Sequence, residues 1–195
     1  MDKGIKNILI VGVGGQGTLL TSRIIAQVAV QMSYDVKVSE VHGMAQRGGS
    51  VVSQVRYGEK VYSPIIKKGD ADVILAFEKL EAARMLDYLK PGGMVIINND
   101  RVDPLPVMSG KEKYPEDIAE RIKGLVENTV IVDASKIAES CGNIKAANVV
   151  LLGVLSKAIS LPEAEVEKAI QEMVPPRALD VNLAAFREGR KLFTV

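Results

Sequence analysis

Thiols and imidazoles are nearly missing from this chain of 195 residues, which has one cysteine, Cys141, one histidine, His42, and no tryptophan. A single thiol excludes an internal disulfide. It also excludes a cysteine-held zinc ion or iron–sulfur cluster, since both need several thiolates. An excess of one charge is missing too: Lys and Arg number 25, Asp and Glu 24, for a formal net charge of +1. Nucleic-acid-binding domains carry a clear basic surplus, so that class is set aside. No uninterrupted apolar run approaches the roughly 18 residues that span a bilayer. The opening MDKGIKN lacks the apolar core and small-residue cleavage site of a secretory signal. These absences predict a cytoplasmic protein with no membrane partner.

What is present is an alternation of apolar strands and amphipathic helices. With 47% hydrophobic residues, the chain suffices for one domain over residues 1–195. Strands are expected at 7–13, 35–41, 73–77, 94–98 and 129–133, the first a continuous apolar run suited to burial on both faces. Helices are expected at 17–32, 78–89, 115–126, 134–141, 146–159, after Pro162, and 179–190. A capping box is expected at Ser160–Glu163 and a short strand near Val107. Residues 50–64 read as two short strands turning at Gly58-Glu59, a hairpin insertion after the second strand. The fold class is α/β: three layers, a mainly parallel central sheet and a helical C-terminal cover.

Two glycine-rich segments carry the chemistry. GVGGQG holds Gly12, Gly14, Gly15, Gln16 and Gly17 between the first strand and the first helix. Backbone N–H groups at such a helix start attract an anionic phosphate. The spacing matches a dinucleotide fingerprint, and Glu40 falls where a ribose-binding acid is wanted. Against NAD or FAD stand the third adjacent glycine, the polar segment that follows Glu40, and the lack of a Cys–His pair, a second histidine or a Tyr-x-x-x-Lys for hydride transfer. The second segment, HGMAQRGGS, holds Met44, Ala45, Gln46, Arg47, Gly48 and Gly49 after His42. Arg47 suits bidentate recognition of phosphate or carboxylate. Glu78, Asn98, Asn99 and Asp100 follow strands at the sheet edge where α/β folds bind ligands, although capping and turn roles explain them as well. Asn148 and Asn182 sit among apolar helix neighbours, as buried hydrogen-bonding or interface residues. The methionines read as core filler.

ILIVGVGGQGTLLTSRIIA, EVHGMAQRGGSVVSQVRYGEKVYSPII, GDADVILAFEKLEAARMLDYLKPGG and NVVLLGVLSKAISLP, in that order, resemble the gamma-type domain of the 2-oxoacid:ferredoxin oxidoreductases. Within that family they are most similar to the small (beta) subunit of the indolepyruvate:ferredoxin enzymes. The resemblance covers nearly the whole chain. It implies a subunit of a complex that oxidatively decarboxylates an aryl-2-oxoacid to an acyl-coenzyme A and reduces ferredoxin. It implies a large catalytic (alpha) partner subunit carrying thiamine diphosphate and 4Fe-4S clusters. It further implies coenzyme A, as a shared co-substrate, or the partner subunit itself against Gly12, Gly14–Gly17 and Met44–Gly49. No catalytic residue and no metal ligand is assigned to this chain, and a homodimer of the isolated chain is left open.

Overall fold

A computed structural model describes residues 4–43 and 48–193. Its centre is β1 (Lys6–Val13), whose alternating side chains go to opposite sides of the sheet. Ile8 and Ile10 enter one apolar cluster, Leu9 and Val11 the other, and all four are essentially without exposure. The remaining strands are β2 (Asp35–His42), β3 (Ser50–Gly58), β4 (Ala71–Ala76), β5 (Leu89–Asn98) and β6 (Thr129–Val132). They form one six-stranded sheet in the order β2-β3-β1-β4-β5-β6. β1, β4, β5 and β6 run parallel, whereas β3 is antiparallel to both β1 and β2.

Helices cover both faces. Apolar residues of α1 (Thr18–Gln31), α5 (Ala134–Ser140), α6 (Ala147–Ala158), α7 (Glu163–Met173) and α8 (Leu179–Lys191) close the larger cluster. α2 (Lys79–Arg84) and α4 (Ile118–Leu125) close the smaller one, where Val107 of the single-turn α3 (Leu105–Met108) also packs. The expected three-layer α/β/α fold with its C-terminal helical cover is therefore present. The one sheet carries both apolar clusters of the described residues.

Four local expectations are corrected. The hairpin consists of β2 and β3, joined through the Gly-rich segment, and Gly58-Glu59 is not its turn. Residues 59–70 contain no strand; they are pinned by side chains instead. Asp35 Oδ2 accepts from Val61 N at 2.9 Å, Gln54 Oε1 from Ile66 N at 2.6 Å, and Arg56 donates to the carbonyls of Ser63 and Ile65. The short strand near Val107 is α3, begun by Pro104 and Pro106. The capping box at Ser160 does not form: Ser160 takes a left-handed φ of 58° after α6, and α7 starts at Glu163 without a side-chain cap. The helix expected over 78–89 stops at Arg84. A 3-10 turn follows, and Leu89 already pairs with Ala71 in the sheet.

α6 and α8 touch backbone to backbone. A Cβ added at Gly189 would stand 2.0 Å from Val150 O, and one at Gly153 would stand 2.3 Å from Phe186 O. Only glycine permits that approach. Gly189→Ala is therefore expected to lower stability by about 1–3 kcal/mol or more. Gly124→Ala, within α4 and facing open space, should instead raise it by about 0.4–1 kcal/mol. Urea denaturation midpoints of the two variants check both signs.

Asp35, where β2 begins, is held at a pKa of about 2, first by its hydrogen bond from Lys37 and then by the one from Val61 N. A carboxyl whose folded pKa lies below the unfolded value of about 3.9 contributes stability above that value and loses it as the pH falls. The stability advantage of the wild type over Asp35→Asn should thus be complete at neutral pH and fade between about pH 4 and pH 2. Equilibrium unfolding across that range measures it.

Candidate functional site

The GVGGQG turn leaves β1 at the carboxyl ends of the parallel strands and enters α1. Its shape is set by one side chain. Gln16 Oε1 accepts from Val13 N at 2.7 Å, and Gln16 Nε2 donates to Phe77 O at 3.1 Å. The carboxamide thus ties the end of β1 to the residue following β4. Gly12 makes room for it, because a Cβ there would lie 2.9 Å from both Gln16 Oε1 and Phe77 Cβ. Gly12 and Gln16 therefore shape the turn.

The other glycines serve differently. Gly17 caps α1 with φ 90° and no side-chain cap, and the first turn of α1 has no acidic residue. Gly15, at φ 102°, has nothing within 4 Å of where its Cβ would be. The early N–H groups of a helix have no intrahelical partner, so this end of α1 favours an anion. Gly14 N donates to Gly49 O at 2.9 Å, and Ser50 Oγ donates to the buried Glu81 at 2.5 Å. The first bond joins the exit of the second Gly-rich segment to the first turn, and the second ties it to α2. Gly48 and Gly49 are thereby placed beside the turn; Met44, Ala45, Gln46 and Arg47 lie outside the described residues.

Two clefts flank the turn. The first, about 500 Å³, lies between the start of α1 and the adjoining face of β2 and β3, with Leu19, Arg23, Glu40, His42 and Ser53 among its walls. The second, about 600 Å³, lies between the starts of α1 and α6, with Asp100, Ser135, Lys145, Asn148 and Asn182 around it. Gly15 and Gly17 border both.

Glu40 does not occupy the ribose-binding position of a dinucleotide site. β3 lies between β1 and β2, so Glu40 is a full strand farther from the turn than such a site requires. Its carboxylate accepts from Ser22 Oγ at 3.1 Å. The inserted strand is a physical reason against the NAD or FAD reading. His42 ends β2 on the exposed edge. Glu78 is a buried structural acid: it caps α2 through Glu81 N at 3.0 Å and accepts from Val102 N at 3.3 Å and from the Tyr114 hydroxyl. Burial first, and the bond to Glu78 second, push the Tyr114 phenol well above its ordinary range. Asn98 and Asp100 hold the start of α5, by Ala134 N to Asn98 Oδ1 at 3.0 Å and Ser135 Oγ to Asp100 Oδ2 at 2.5 Å. Asn99 Nδ2 donates to Asp133 at 3.1 Å. Asn182 Nδ2 donates to Ala178 O at 2.7 Å.

Sequence reasoning missed Glu81, Ser53, Lys145 and the placement of Asn148 against Gly17. Only for Lys145 was there a local signal, the Gly142-Asn143 pair that opens the segment before α6, where Asn143 Oδ1 accepts from Lys145 N at 3.0 Å. The others depend on contacts distant in the chain.

Fold and turn together define an α/β protein that presents a glycine turn at the reversal point of a mixed sheet. The family model for pyruvate ferredoxin/flavodoxin oxidoreductase matches residues 7–192, and the chain belongs to that family. It is 43% identical, over 95% of its length and 94% of the relative's, to the indolepyruvate oxidoreductase subunit IorB of Thermococcus kodakarensis. With the protein of the same name from Pyrococcus horikoshii it shares 44% identity at the same coverage. Among solved structures, the pyruvate oxidoreductase subunit PORC of Thermotoga maritima superposes with a TM-score of 0.74 at 22% identity, covering 97% of each chain. The 2-oxoglutarate:ferredoxin oxidoreductase of Magnetococcus marinus, solved with 2-oxoglutarate, coenzyme A and succinyl-CoA, superposes at 0.73 and 22% identity, covering 98% of this chain and 31% of that one. The last two likenesses concern the fold.

The role of Gln16 is testable on the isolated chain. Gln16→Ala leaves Val13 N without its acceptor, which should cost about 1–3 kcal/mol of stability. Gly12→Ala, which drives a methyl into the carboxamide, should destabilise through the same contact. The double variant should then fall short of the sum of the two, measured by urea unfolding.

Proposed function

We propose that this chain is the small, non-redox subunit of a 2-oxoacid:ferredoxin oxidoreductase acting on an aryl-2-oxoacid such as indolepyruvate. The reading rests chiefly on near-complete, 43–44% identity to proteins named indolepyruvate oxidoreductase subunit IorB. It has a chemical basis in the residues: a chain with one cysteine cannot hold an iron–sulfur cluster. The clusters and thiamine diphosphate are therefore assigned to the large catalytic subunit, with ferredoxin as electron acceptor of the complex and the cytoplasm as its location. Thiamine diphosphate supplies the carbanion chemistry of decarboxylation when bound there.

On this reading the chain supplies a shaped surface. The Gly14–Gly49 hydrogen bond sets the end of the second glycine-rich segment against the first turn. The start of α1 is uncapped, and Arg47 stands two residues before Gly49 in the sequence. Both suit the phosphates of coenzyme A. Gly15 leaves the approach open.

The chain alone should show no 2-oxoacid oxidation and bind no thiamine diphosphate; adding the large subunit should produce coenzyme A-dependent ferredoxin reduction. Turnover by the isolated chain would overturn the assignment. Arg47→Ala should raise the apparent KM for coenzyme A by about tenfold or more while the complex still assembles. Weakened assembly instead would make the segment a subunit contact, and no change in either would remove it from the site.

A further inference from the structure

Glu81, in the first turn of α2, is 5% exposed. A carboxylate is costly to take out of water unless it is paired and hydrogen-bonded. Its Oε1 stands 3.6 Å from the half-exposed Arg84 guanidinium, and its Oε2 accepts from Ser50 Oγ at 2.5 Å. Ser50 begins β3 and lies opposite Val13, in the last pair of the β1–β3 ladder. Ladder ends open at the lowest free energy. Gly48, at φ 78°, and Gly49 come just before Ser50 and add backbone freedom there. Two bonds oppose that opening, Gly14 N to Gly49 O and Ser50 Oγ to Glu81. β1 lies between β3 and β4 in the sheet. The Ser50–Glu81 bond therefore crosses the end of β1, from the start of β3 to the helix that follows β4. Gln16 ties β1 to the residue after β4, and Glu81 brings β3 into the same set. Glu78 has different partners, Glu81 N, Val102 N and the Tyr114 hydroxyl, none of them in either glycine-rich segment.

We propose that Glu81 is a positioning residue. It holds the exit of the second glycine-rich segment against the GVGGQG turn, and through that placement it sets the affinity of the complex for coenzyme A. A hydroxyl bound to an ionised acceptor suits the task, being about twice as strong as a neutral hydrogen bond. An apolar residue at position 81 would be cheaper to bury, but it would leave Ser50 free to turn to water. The effect on coenzyme A rests on the subunit reading above; the tether itself does not.

Amide hydrogen exchange on the full chain reads the tether at Gly14 N–H, the donor to Gly49 O. Glu81→Ala and Ser50→Ala should each speed its exchange by about tenfold or more. The double variant should add little to either, since both remove one bond. Glu81→Gln, whose carboxamide oxygen still accepts from Ser50, should recover most of the protection. Tyr114→Phe removes a bond on the other side of α2 and should leave Gly14 as in the wild type. Ser50 is only partly buried, so Ser50→Ala keeps the test valid if Glu81→Ala fails to fold. Wild-type protection of Gly14 in Ser50→Ala and in every folded Glu81 variant would overturn the proposal. So would equal loss of protection in Tyr114→Phe, which marks general destabilisation. In the reconstituted complex, Ser50→Ala should raise the KM for coenzyme A by about tenfold with kcat little changed, and Tyr114→Phe should not. Faster Gly14 exchange with an unchanged KM would overturn the link to coenzyme A. A wild-type complex without coenzyme A-dependent ferredoxin reduction would remove the subunit reading, and the exchange result alone then decides the tether.

Discussion

The architecture around the site depends on one carboxamide. Gln16 bridges the last residue of β1 and the residue after β4, satisfying a backbone donor on one strand and an acceptor on the other. Those strands are neighbours in the parallel part of the sheet. The bridge therefore sets how the turn leaves the sheet, and with it the direction in which α1 starts. A glycine turn without such a tie is free to take many conformations. Here the freedom is removed by a side chain from within the motif, and Gly15 and Gly17 are left at the mouths of two clefts. Pre-organisation of this kind lowers the entropy lost when a ligand or partner arrives.

Much of the fold was legible wherever the signal was local. β1, α1, β4 and α6 are long, strongly patterned segments, and their positions follow from which faces must be buried. The turn was legible as well, since glycines between an apolar run and a helical pattern have few other uses. What escaped was long-range. Nothing within SVVSQVRYG says that it will lie between β1 and β2; that place is set by Val55 and Tyr57 joining the cluster beneath α1 while Gln54 and Arg56 hold the next segment. Residues 59–64 looked like a strand because they contain Val61 and Tyr62. They are instead an irregular stretch tied down by side chains of β2 and β3. Ser160 looked like a cap but serves as the left-handed exit of α6.

The site shows the same division. Its glycines were visible in the sequence, but their separate tasks were not: Gly12 makes room for Gln16, Gly17 meets Asn148, and Gly15 stays open. The acid that a dinucleotide site needs was present at Glu40 by count, and the inserted strand moves it one strand farther from the turn. A motif defined by spacing alone cannot register a change of strand order.

That strand order also has a consequence in time. Among the described residues β2 pairs with β3 and with no other strand, and β3 pairs with β1. β1 and β2, consecutive in the chain, lie one strand apart, with β3 between them. Pairing β3 with β1 joins segments separated by α1 and β2, a non-local contact of the sort that slows folding. In the finished protein the dependence runs the other way: any opening of β3 releases β2 with it. The two strands form one cooperative unit of local unfolding, and the second glycine-rich segment is the link between them.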